Sequence, residues 1–190
     1  MKKHNSFFAL FLACAGLIPA QAAPVRQTTY TVNGKINSAC SIPQTSPLTL
    51  NTTVSSNGKI DPALSNVSWT IAGWSCNAAS RISLSAKPLR LNPPKTSLTP
   101  SQSQAINFTA RASGWTTADA TVTTAETNPV GTGTTYTGVA QVQNAPRKGA
   151  ITVRVSDFTI AGAKGNSSNT AKPVDGAYSA TITVTLTPSS

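Results

Sequence analysis

Apolar and polar residues alternate in short runs along this chain, and no stretch sustains a helical period. The longest run is Thr28 to Ile42. Thr28, Tyr30, Val32, Gly34, Ile36, Ser38, Cys40 and Ile42 share one parity, while Thr29, Thr31, Asn33, Lys35, Asn37, Ala39 and Ser41 share the other. A period of two predicts an extended strand with one largely apolar face. Cys40 lies on that face, so a covalent tie from this strand would sit against a core.

Similar runs follow, each bounded by Pro, Gly or Asn. Val67, Trp69 and Ile71 share a face, and the parity switches at Ala72-Gly73 to continue through Trp74 and Cys76, which predicts a bulge at the glycine. Ile82, Leu84 and Ala86 form the next run; Lys87-Pro88 shifts the phase to Leu89 and Leu91, and Pro93-Pro94 ends pairing because proline has no N–H for a ladder. Ile106, Phe108, Ala110 and Ala112 make a clean strand up to Gly114, and Thr121 to Thr124 a weaker one. Tyr136, Gly138, Ala140 and Val142 follow a Gly131-Thr132-Gly133 turn. Ile151, Val153 and Val155 lead to a phase flip at Ser156-Asp157, then Phe158 and Ile160. Residues 162–174 read as a polar loop, and Pro43 to Pro62 give no clear element. The chain closes on Tyr178, Ala180, Ile182, Val184 and Leu186. Seven to nine short strands at about ten-residue spacing predict one all-β domain, an antiparallel β-sandwich of immunoglobulin-like type.

The first residues change what counts as the domain. Lys2 and Lys3, an apolar run from Phe7 to Ile18 and the small-x-small triplet Ala20-Gln21-Ala22 form a signal peptide over 1–22, leaving 23–190 as the domain. The apolar run is shorter than the roughly 20 residues that span a bilayer. Cys14 reads as a small apolar residue of that leader rather than a lipid-attached cysteine. Without the leader, 168 of the 190 residues remain, the single histidine His4 is gone, and the formal charge falls from +10 to +8. Two cysteines in an exported chain predict one disulfide, Cys40 to Cys76. Closing a loop of that length stabilises by about 4 kcal/mol at most.

This inventory excludes most catalysis. With no histidine in the mature chain there is no Ser-His-Asp or Cys-His arrangement and no histidine metal site. The five acids, Asp61, Asp119, Glu126, Asp157 and Asp175, are isolated in sequence. The expectation is a non-enzyme without cofactor or metal. Basic residues fall in two groups, Lys87, Arg90 and Lys95 near the prolines, and Arg147-Lys148 in a turn. They suit acidic polysaccharide, phospholipid headgroups or DNA in a salt-dependent way, or simply solvated loops, and nucleic acid is not expected as a partner. Trp69 and Trp74 follow the inward parity. Trp115, beside Gly114 at a strand end, is the candidate for a surface ligand contact.

The two ends of the mature chain carry a resemblance. Residues 29–42, TYTVNGKINSACSI, resemble the first strand of pilin subunits assembled by the chaperone–usher pathway, and 176–188, GAYSATITVTLTP, resemble the last strand of those pilins and of spore-coat-U-like secreted pilus proteins. The Cys40–Cys76 spacing fits the bridge that such pilins place between their first two strands. The resemblance implies a sandwich missing its seventh strand, with an apolar groove beside the last strand. A periplasmic chaperone fills the groove first, and a neighbouring subunit's N-terminal segment fills it in the fibre by donor-strand complementation. It also implies an outer-membrane usher as partner, passage through the periplasm, and a cell-surface fimbria serving adhesion or biofilm formation. Tyr30, Val32, Gly34 and Ile36 are then either the donor or the first-strand face, with 23–28 as the other donor segment. Tyr178, Ile182, Val184 and Leu186 line the groove.

Composition makes an independent point about the last strand. Tyr178 to Thr187 carries no charge over ten residues, whereas natural sheet edges are normally blunted by charge or proline. Such a strand is either central and wholly covered within its own domain, or meant to be paired by another chain. The alternative function is a self-contained exported module that recognises host or surface glycans through Trp115 and nearby basic residues.

Overall fold

The computed structural model describes residues 37–42, 47–54, 60, 63–64, 67–99, 101–162 and 171–189, all within one compact unit spanning 36–190. Tyr30, Val32, Gly34, Ile36 and the leader lie outside the described residues. The described chain is all-β, its main sheet antiparallel and curled into a half-barrel, an incomplete sandwich. Thirteen strand segments are present among the described residues, more than alternation alone delimits, because several strands are broken by bulges or change partners midway.

Two layers account for the topology. The first contains β1 (Cys40–Ser41), β3 (Ser68–Cys76), β11 (Arg147–Ile160), β7 (Ala105–Ser113) and β8 (Ala120–Thr123), in that order. The second contains β2 (Leu48–Val54), β13 (Gly176–Pro188), β4 (Ser80–Ala86) and the short β9 (Tyr136–Thr137) and β10 (Gln141–Gln143). β5 (Leu89–Leu91) joins the layers, pairing with β13 on one side and β7 on the other. A bridge from Thr121 to Val139 closes the same side further along. There a Cβ on Gly138 would overlap the Thr121 carbonyl, so only glycine fits where the chain crosses β8. A small parallel pair, β6 (Gln102–Ser103) with β12 (Lys172–Pro173), completes the set.

The expected phase shifts are physical bulges. Opposite Gly149 and Ile151 the register of β3 skips, with Trp74 and Ile71 as partners and Gly73 at φ 90°. In β11 the skip falls between Ser156 and Thr159, with Asp157 at φ 55°, a left-handed conformation that a short polar side chain tolerates. Lys87-Pro88 separates β4 from β5 as the phase change requires. β2 arises inside the segment where no element was legible; its Leu48, Leu50 and Val54 are buried in the core. The Tyr136–Val142 run is less regular than expected. It is split into β9 and β10, with Val139 and Val142 exposed, because this ribbon packs only its edge against β4.

The core fills the space between the layers. Trp74, Trp115, Phe108, Tyr178, Leu50, Ile82, Leu84, Ile106, Ile151 and Ile182 are fully buried in it. Trp69 is only partly buried against the cluster, so of the two tryptophans expected inside, Trp74 alone is wholly enclosed.

Candidate functional site

The last strand is the element on which the functional expectation rests, and its register shows which of its backbone groups are used. β4 and β5 run along one side of β13, from Pro188 opposite Ser80 to Tyr178 opposite Leu91. The Thr181 carbonyl accepts from Lys87 N–H at 3.0 Å, and Ser189 N–H donates to the Ala79 carbonyl at 2.8 Å. Antiparallel ladders alternate the direction of successive residues' polar groups. Thr181, Thr183, Thr185 and Thr187 therefore aim their N–H and C=O groups at β4, while Ile182, Val184 and Leu186 aim theirs at the opposite edge. On that edge β2 pairs with Gly176 through Ile182, and its register ends at Leu48. Beyond Ile182 no strand pairs with it among the described residues, so the main-chain donors and acceptors of Val184 and Leu186 have no strand partner on that edge among those residues.

The expected groove-lining residues all fall on one face of β13. Tyr178, Ile182, Val184 and Leu186 are buried, at 1%, 0%, 3% and 3% exposure. Their apolar side chains are thus already in the core, and the groups left without a strand partner among the described residues are those of the backbone. Tyr178 fixes the start of the strand: its hydroxyl donates to the Val174 carbonyl at 2.8 Å and lies 3.3 Å from the Ser103 carbonyl. Burial pushes this phenol up to about 12, with a smaller contribution from the Asp175 charge.

Cys40 and Cys76 form the expected disulfide and face each other in register, tying β1 to β3. Asn77 reinforces the tie, accepting from Ala39 N–H at 2.7 Å and donating to the Asn37 carbonyl at 3.0 Å. β1 is the outer strand of the first layer, and it comes close to β13 of the second.

Trp115 requires a correction. It is fully buried, and its indole N–H donates to Ser80 Oγ at 3.1 Å. The Arg147 guanidinium lies 5.9 Å from the ring centroid and donates to the Gly114 carbonyl at 2.8 Å. The positive φ of Gly114 turns the chain so that the ring folds inward rather than projecting from the strand end. Nothing of the ring is left for a sugar to stack on.

The basic groups are rearranged too. Lys87 and Arg90 line one cleft of about 430 Å³ over β5, which Lys95 does not reach. Glu126, isolated in sequence, is the buried anchor of the neighbouring loop. Its carboxylate accepts from Asn128 N–H at 3.0 Å, Thr132 N–H at 2.8 Å and the Thr132 hydroxyl at 2.6 Å. Burial alone would raise its pKa, but these donors outweigh it and hold the carboxyl below its ordinary value. Its own backbone is clasped by the Asn107 side-chain amide. Nothing in the sequence pattern marks this arrangement. Comparison of the sequence with protein-family models and with curated proteins gives no match.

Proposed function

We propose that this protein is a structural subunit of a bacterial surface pilus or fimbria, exported and assembled by donor-strand exchange. The observation that carries the reading is the edge of β13 past Ile182. It is uncharged, unpaired among the described residues, and continuous with a pairing already begun by β2. An edge of this kind is a template for an incoming strand, whose main chain supplies the affinity. The partners are a second copy or related subunit in the fibre, with a periplasmic chaperone and an outer-membrane usher in transit, and the product serves adhesion or biofilm formation. The resemblance of residues 29–42 and 176–188 to pilin terminal strands supports the same reading. The disulfide agrees with an oxidising, exported compartment.

Surface extracts run unheated in SDS gels are expected to show a ladder of multimers that collapses on boiling. Val184→Pro removes one edge-facing N–H while retaining an apolar side chain, and proline is tolerated at such edge positions. It is expected to abolish the ladder. A ladder unchanged in Val184→Pro, or monomer alone in the unsubstituted protein, would overturn the proposal.

A further inference from the structure

Arg90 lies in the middle of a sheet rather than on its rim. β5 is flanked by β13 and β7, so Arg90 sits in register with Ser179 on one side and Ala105 on the other. Ser179 in turn faces Asn51 on β2. Leu89 and Leu91 point into the core, which sends Arg90 to the outer face.

The loop after β8 folds over that face. A Cβ added to Gly131 would stand 3.1 Å from Arg90 Nε, and one added to Gly133 would stand 3.0 Å from Nη1. Both glycines have positive φ, 74° and 73°. Two glycines therefore let the backbone lie against the guanidinium, and Glu126 pins the loop in place. Both oxygens of that carboxylate are occupied by Asn128 and Thr132. Arg90 is left half-buried, its guanidinium with no hydrogen-bond or ion-pair partner among the described residues.

The cleft beneath is lined by Lys87, Arg90, Asn92, Thr132, Ser179 and Thr181, among others, and among the described residues no acidic or aromatic side chain contributes to it. A sheltered guanidinium without a counter-charge is poorly compensated, and an anion completes it best. We infer that this cleft binds a carboxylate-bearing sugar, a uronate residue of an acidic polysaccharide. The planar fork of Arg90 matches a carboxylate with two parallel hydrogen bonds. Lys87 on the rim meets the next acidic residue of the polymer, while Thr132, Ser179, Thr181 and Asn92 offer donors and acceptors to ring hydroxyls. About 430 Å³ suits a small-molecule site and exceeds what an inorganic anion fills. The lack of an aromatic platform argues against single-stranded nucleic acid. This site does not use the groups that strand exchange would: its residues on β13 end at Thr181, three residues or about 10 Å from Val184, and Thr181 directs its main-chain groups to β4.

Calorimetric titration of the purified protein with trigalacturonate tests the inference, using the fully methyl-esterified trisaccharide as a neutral analogue of the same shape. Trigalacturonate is expected to bind saturably at one site, and the ester at least tenfold more weakly. Arg90→Gln is expected to weaken trigalacturonate binding tenfold or more, and Lys87→Gln several-fold. Lys148→Gln, far from the cleft, is expected to change nothing. Equal affinity for acid and ester would overturn the inference, as would full displacement by equimolar inorganic phosphate. Should Arg90→Gln fail to fold, as judged by its thermal melt, the exposed Lys87→Gln decides: a loss no larger than that of Lys148→Gln also overturns it.

Discussion

Tyr178 shows how a single side chain sets the position of the last strand. Its ring is buried and its hydroxyl donates to Val174, so ionisation would place a charge in a desolvated site against carbonyls and near the Asp175 charge. The folded value of about 12 stands above the ordinary 10.0. A raised acid contributes stability that is fully present below pH 10 and is lost as pH rises from about 10 to about 12. The gap corresponds to on the order of 2–3 kcal/mol. Thermal melts are expected to hold level to about pH 10 and then fall, whereas Tyr178→Phe, less stable at neutral pH, is expected to fall less steeply over that window. A parallel decline in both proteins would remove Tyr178 from the explanation. The inward position of Tyr178 was legible from alternation, but its hydrogen bond was not, since Val174 lies in what reads as a polar loop. Trp115 was misread for a related reason. Parity places a side chain on a face, but after Gly114 the chain turns, and parity no longer applies.

At the scale of elements, alternation located the strands wherever both neighbours are strands of the same layer. The bulges at Gly73 and Asp157 appeared in the sequence as parity changes because each extra residue swaps faces. β2 was missed although Leu48, Leu50, Thr52 and Val54 alternate. It is flanked by prolines and serines, and its meaning comes only from pairing with the distant β13. The register of β13 in turn separates two kinds of residue that look alike in sequence. Thr183 directs its N–H to β4, while Val184 directs its own to the opposite edge, where it has no strand partner among the described residues. Thr183→Pro is therefore expected to lower the midpoint of urea unfolding markedly, because it removes a ladder bond and leaves a β4 carbonyl within the sheet unsatisfied, at about 1–3 kcal/mol. Val184→Pro is expected to cost clearly less. Equal costs would show that both edges of the strand are engaged within the monomer.

Among the described residues, the two layers are joined along one side by β5 and the Thr121–Val139 bridge, while β1 and the end of β13 are not paired with each other. The uncharged composition of Tyr178 to Thr187 marked this strand as one to be covered. It could not show that among the described residues β2 pairs only with its first half, because that depends on the register of a strand in a segment with no clear pattern. The most direct measurement of an unfinished edge is amide hydrogen exchange at individual residues of β13, in the isolated subunit and in the assembled fibre. Thr183 and Thr185, bonded to β4, are expected to be protected in both states. Val184 and Leu186 are expected to exchange rapidly in the subunit and to become protected on assembly. Protection of Val184 and Leu186 in the isolated subunit, equal to that of their threonine neighbours, would contradict the account.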